Sequence, residues 1–160
     1  MFLFIISLMN SCNAQGKVNS QLYDSLLNVL LDHDVPESYV NELKGLSFIY
    51  LDAREKKEFD VSHIEGAIWV GYNDFNQERV NGLSKEHQIV VYCSVGYRSE
   101  KVAEKLLSQG YLKVSNLYGG IFEWVNEGNI VVDAGNEKTN KVHAYNRKWG
   151  VWLLKGEKVY

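Results

Sequence analysis

Short apolar runs that alternate with helical patterns constrain this chain more than any other feature. Phe48-Ile49-Tyr50-Leu51, Ala67-Ile68-Trp69-Val70 and Ile89-Val90-Val91-Tyr92 are continuous runs, and Val114-Ser115-Asn116-Leu117 makes a further strand. Continuity, rather than alternation, is what a strand covered on both faces requires. Between the runs, Val102, Ala103, Leu106 and Leu107 recur at helical spacing and stop at Gly110. Gly119-Gly120 opens another helical pattern through Ile121, Phe122, Trp124 and Val125, closed by Gly128. Strands alternating with helices predict an α/β domain, a parallel β-sheet flanked by helices on both faces.

The segments outside this alternation are read separately. Asn19 or Ser20 can cap a helix that carries Leu22, Leu26, Leu27, Leu30 and Leu31, and Pro36 is placed to start a second helix through Val40 and Leu43. After about Ile130 the chain turns polar but keeps Tyr145, Trp149, Trp152 and Tyr160, which are expected to dock back on the domain. The expected organisation is a leader at 1–15, a helical extension at 16–34, the α/β domain at 35–129, and an aromatic extension at 130–160 packed on it. A net charge of −3 and a pI near 5.8 offer no electrostatic footing for nucleic acid.

Val90-Val91-Tyr92-Cys93-Ser94-Val95-Gly96-Tyr97-Arg98-Ser99 is the richest chemical signal. An apolar run ends on a cysteine, a loop with a central glycine follows, and a helix then starts. That layout turns successive backbone N–H groups and a helix N-terminus toward one point, where a thiolate or bound anion is stabilised. Cys93 is the candidate nucleophile. Gly96 allows the backbone to fold tightly there, and Arg98 offers a planar donor fork.

This loop resembles the active-site loop of rhodanese domains, which transfer sulfane sulfur through a cysteine persulfide. Two further segments agree in order and spacing: Leu51-Asp52-Ala53-Arg54 with Glu58-Phe59 and His63-Ile64-Glu65-Gly66-Ala67, and Asn116-Leu117-Tyr118-Gly119-Gly120-Ile121-Phe122-Glu123-Trp124. The resemblance implies a sulfurtransferase that moves sulfur from thiosulfate, a persulfide or a polysulfide to a thiol or cyanide acceptor. It implies catalysis by Cys93 and substrate contacts from Ser94, Val95, Gly96, Tyr97, Arg98, Ser99 and Arg54, with no metal or organic cofactor. The rival readings are a sulfur- or oxidant-binding module without turnover, and a cysteine phosphatase or arsenate reductase. The loops of those two enzymes place one more residue between cysteine and arginine; here four stand between Cys93 and Arg98, a smaller cradle suited to one sulfur atom.

Other polar residues carry plainer readings. His63 is expected in a structural turn, and Asp52 and Arg54 are expected to orient loops through hydrogen bonds. Glu55-Lys56-Lys57-Glu58 reads as a solvated face, and His33, His87 and His143 lack ligand spacing. At the start, residues 2–9 form an apolar run too short to span a bilayer but suited to a signal-peptide core. Ser11-Cys12 after it resembles a lipoprotein box. The expectation is export to a bacterial cell envelope, periplasmic, with membrane attachment through a lipidated Cys12; the alternatives are cleavage after Ala14 and a segment packed on the domain.

Overall fold

A five-stranded parallel sheet organises the chain in the computed structural model, which describes residues 17–160. Its strands are β1 (Glu37–Ser38), β2 (Ile49–Asp52), β3 (Ile68–Trp69), β4 (Gln88–Tyr92) and β5 (Lys113–Leu117), in spatial order β1-β5-β4-β2-β3. β4 is the middle strand and the most apolar, with Ile89, Val90, Val91 and Tyr92 all buried. Register pairs Ile89 with Ile49 on one side and with Val114 on the other. The expected runs are therefore strands, and the α/β class with a parallel sheet flanked by helices is what the chain adopts.

Helices α1 (Gln21–Leu30), α2 (Lys56–Val61), α3 (Tyr97–Ser108) and α4 (Gly120–Asn126) cover the sheet. Two buried clusters lie on its two faces. One gathers Tyr23, Leu27, Val90, Tyr92, Leu117 and Phe122; the other Leu51, Val91, Val102, Ala103 and Leu106. Ser20 caps α1 by accepting the Tyr23 N–H, as its position in the sequence implies. Tyr23 donates from its hydroxyl to the Gly119 carbonyl at 2.9 Å, which fastens α1 beside the start of α4.

One expected helix is absent. Pro36 does not open a helix; it precedes the edge strand β1, and only a single 3-10 turn follows at Val40–Glu42. The Asn116 N–H reaches the Pro36 carbonyl at 2.8 Å, and Glu37 pairs with Asn116. Ladder bonds to β5 outweigh a weak local helical preference, and a proline lacking an N–H is tolerated at a sheet edge.

The last part of the chain packs on the domain as two small pairs and a short helix. β6 (Val131–Val132) pairs antiparallel with β7 (Lys138–Thr139) and bridges to His63; β8 (Lys141–His143) pairs parallel with β9 (Glu157–Val159); α5 (Arg147–Gly150) lies between β8 and β9. Val142, Ala144 and Leu153 are buried in the same cluster as α1 and α4. Trp152 stacks on Tyr23 with ring centroids 5.3 Å apart, so the segments before and after the domain touch each other. The leader and Cys12 lie outside the described residues.

Candidate active site

The end of the middle strand creates the site. β4 stops at Tyr92, and Cys93 begins the loop that leads into α3, at the carboxyl edge of the sheet where open α/β folds place ligands. The loop curls so that the Gly96 N–H donates to Cys93 Sγ at 3.1 Å. Gly96 sits at φ +124° as the residue capping α3, a conformation that side chains rarely adopt. Cys93 is free and buried at the floor of a cleft of about 710 Å³.

Two devices hold the loop from behind. Asn116, buried on β5, donates from Nδ2 to the Gly96 carbonyl at 3.1 Å and accepts from Ser99 Oγ at 2.7 Å. On the other side, the first turn of α4 supplies its free amides: Ile121 N–H to the Cys93 carbonyl at 2.9 Å and Phe122 N–H to the Ser94 carbonyl at 3.2 Å. This close approach needs Gly120. It sits at φ +58°, and a Cβ there would lie 2.5 Å from the Cys93 oxygen. The Gly119-Gly120 pair thus does more than open a helix; it lets α4 dock on the backbone of the reactive loop.

Glu58 is the residue that its sequence context misplaces. It belongs to a charge run read as solvated, yet it is fully buried. Lys56 and Lys57 face outward while the phase of α2 turns Glu58 inward, where it accepts from Arg98 Nη1 at 2.6 Å and Nη2 at 2.8 Å. Ser94 Oγ donates to the same carboxylate at 3.1 Å, and the Glu55 N–H at 3.0 Å. Burial acts to raise the Glu58 carboxyl, but the hydrogen bonds and charge of Arg98 outweigh it and bring it down to about 2. Burial likewise works against the Arg98 cation, and Glu58 more than restores it, moving Arg98 upward.

The expected site residues therefore divide. Cys93, Ser94, Val95, Tyr97 and Arg98 line the cleft, and Gly96 contributes its N–H. Ser99 is wholly buried, is not among the residues lining the cleft, and is bonded to Asn116 and to the Gly96 carbonyl, so it braces the loop. Arg54 is likewise not among the residues that line the cleft. It is fully buried, pairs with Asp52 at 2.7 Å and donates to the Ser62 carbonyl at 2.6 Å, beneath the cleft rather than in it. His63 lies in the turn before β3, stacked on Phe59 and joined by backbone bonds to Val132.

Four contributors from the two ends of the chain were missed. Leu30 comes from α1, and Tyr145, Asn146 and Trp149 come from the C-terminal segment. His143 lies behind them, buried, its Nδ1 accepting the Tyr145 N–H at 3.1 Å. Burial lowers the affinity of His143 for a proton, and the nearby Glu58 only partly offsets that. Among the described residues the cleft holds no grouping of metal-ligating side chains; Asp32, Asp34 and Glu104 converge elsewhere, on the surface.

This geometry has counterparts among known proteins. The model of the rhodanese-like domain matches residues 35–127. The tRNA uridine(34) hydroxylase of Acholeplasma laidlawii is 26% identical over 163 residues, covering 92% of this chain and 50% of the relative. An adenylyltransferase and sulfurtransferase of Meyerozyma guilliermondii is 28% identical over 123 residues, 72% of this chain and 27% of the relative. The chain thus spans half or less of the length of these curated relatives. The solution structure of the rhodanese-like domain of an Anabaena protein superposes with a TM-score of 0.57 at 27% identity, covering 61% of this chain and 79% of that one.

Proposed function

The chain belongs to the rhodanese-like domain family, and from that premise we propose that it is a sulfurtransferase working through a persulfide on Cys93. The observation that carries the reading is the Gly96 N–H donating to Cys93 Sγ at 3.1 Å, at the N-terminus of α3 and on the floor of an open cleft. A sulfur placed there is open to a donor, and the amide aimed at it can hold charge that develops on a transferred sulfur.

The chemistry closes without a cofactor. The Cys93 thiolate attacks the outer sulfur of a donor, the donor's S–S bond breaks, and its electron pair departs on the remaining sulfite or thiolate. Cys93 then carries the transferred sulfur as an anionic persulfide, which the Gly96 amide also suits. A second thiolate or cyanide attacks that outer sulfur, forms the new bond to it, and returns the electron pair to Cys93 Sγ. No net oxidation occurs across the cycle.

The reading covers a small sulfur donor and a thiol or cyanide acceptor and leaves nucleic acid out, since the chain is net negative at −3. It also keeps export with lipidation at Cys12, on the sequence pattern alone. Incorporation of a fatty-acid analogue into wild type but not Cys12→Ala tests that part. For the enzyme, intact mass of the full chain is measured after thiosulfate or an organic persulfide, then after cyanide, beside Cys93→Ser. One added sulfur on wild type only, discharged by cyanide, is the expected result; no added sulfur from any donor overturns the reading.

A further inference from the structure

Part of the cleft wall is built by residues beyond the matched domain. Tyr145 and Trp149, from the segment after residue 127, line it together with Tyr97, Tyr72 and Leu30 from α1. Tyr145 is held there against its backbone preference. It sits at φ +62°, secured by its N–H to His143 Nδ1 at 3.1 Å, and its ring lies 5.1 Å from the Arg98 guanidinium carbon. Strain of this kind in a non-glycine residue persists where surrounding structure imposes it, and it concentrates at functional sites.

Charge points the same way. Both terminal nitrogens of Arg98 are engaged by Glu58, so the cation that ends the reactive loop arrives neutralised. Lys57, exposed at the rim, has no ion-pair partner among the described residues, but a charge in solvent contributes little. A dianion such as thiosulfate meets little uncompensated positive charge here. The volume, about 710 Å³, is that of a pocket for an organic molecule, and aromatic walls suit an apolar body.

We propose that this sulfurtransferase takes its sulfur from a low-molecular-weight organic persulfide with an apolar or aromatic body, and that Tyr145 and Trp149 determine that preference. The inference rests on the sulfurtransferase reading above and narrows its donor. The body packs against Tyr145 and Trp149 while the outer sulfur reaches Cys93 Sγ. The S–S bond of R–S–SH breaks, Cys93 gains the outer sulfur with its proton, and R–S⁻ leaves with the electron pair to be protonated by water.

The test compares donors with the same reacting sulfurs and different bodies. Loading of Cys93 in the full chain by benzyl persulfide and by methyl persulfide is followed by quenched intact mass, with thiosulfate as a third donor. Wild type should load at least about tenfold faster from the benzyl donor, a difference of about 1.4 kcal/mol. Tyr145→Ala and Trp149→Ala should each cut that ratio several-fold, and Tyr145→Phe should keep it. The ratio is insensitive to partial unfolding, because lost protein slows both donors alike. Equal rates in wild type, or a ratio untouched by both alanine variants, overturns the proposal while sulfur transfer stands. Loading by no donor at all overturns both.

Discussion

Both carboxylate oxygens of Glu58 are bound to Arg98, at 2.6 and 2.8 Å, so the arginine that ends the reactive loop is joined to a buried carboxylate before any substrate arrives. The pair has a stabilising consequence that depends on pH. Glu58 moves from an ordinary value near 4.5 to about 2 on folding. A depressed carboxyl contributes stability that is present above its unfolded value and is lost as pH falls through the folded one. Removing the charge should also free Arg98 for anions.

Acid should therefore weaken the fold through this pair. Wild-type stability should decline by roughly 3 kcal/mol between about pH 4.5 and pH 2 from Glu58 alone, because each tenfold change in proton affinity is worth about 1.4 kcal/mol. Urea midpoints at intervals across this range measure it. Glu58→Gln should be less stable than wild type at pH 7 and should show a shallower acid decline. An equally steep decline in the variant would refute the assignment.

The same substitution should alter donor preference. Glutamine keeps an acceptor for Ser94 and Arg98 but withdraws the negative charge, leaving the guanidinium uncompensated beside Cys93. The KM for thiosulfate should fall several-fold in Glu58→Gln relative to wild type, while the KM for an uncharged organic donor moves less. Steady-state kinetics at constant ionic strength, over the folded range of pH, reads both.

Arg54 offers a contrast, because it lies beneath the cleft. Its guanidinium is fully buried against Asp52. Arg54→Met would leave Asp52 as an uncompensated buried charge, at a cost of about 3–5 kcal/mol. Thermal melting should register the loss. The donor KM of the remaining folded enzyme should stay within about twofold of wild type, and a large rise in KM would place Arg54 back among the substrate contacts.

The sheet, the loop and Cys93 were legible because each is coded locally: continuous apolar runs, a strand-cysteine-glycine-helix layout, glycines where helices start and stop. What was not legible depends on distant contacts. Glu58 sits in a helix of 6 residues, too short to display periodicity, so which of four adjacent charges turns inward is decided by Arg98, 40 positions on. The edge strand at Glu37–Ser38 exists only because β5 offers a ladder. Tyr145 and Trp149 read from the sequence as aromatics that dock on the domain; nothing local marks them as lining the cleft of Cys93.

Gly120 tests whether the α4 contact governs the loop. A methyl group there would meet the Cys93 and Ser94 carbonyl oxygens at 2.5 and 2.6 Å, both backbone atoms, from a residue already at φ +58°. Neither the loop nor the helix can yield without breaking the Ile121 and Phe122 amide bonds. Gly120→Ala should therefore cost at least about 1–3 kcal/mol in stability from strain of this order and slow persulfide formation more than tenfold even where the protein remains folded. Loading rates normalised to the folded fraction, taken from near-ultraviolet dichroism, separate the two effects.

The last expectation follows from His143. Burial lowers its proton affinity below the ordinary value of 6.5, against the pull of Glu58 and with the charges of Lys57, Arg54 and Arg98. Because the folded form resists protonation, the unfolded chain takes up the proton first, and stability is full above about pH 6.5 and declines as pH falls below it. His33 acts in the opposite sense, since its hydrogen bond to Glu37 raises it, but it is exposed and screened. Protonation at Nδ1 also removes the acceptor that holds the Tyr145 N–H. The benzyl-to-methyl loading ratio should then hold near pH 7.5 and drop only as pH falls well below 6.5 in wild type. In His143→Leu, which offers no acceptor to the Tyr145 N–H, the ratio should already be low at pH 7.5 and change little with pH. A wild-type ratio flat across that range would separate Tyr145 from the protonation of His143.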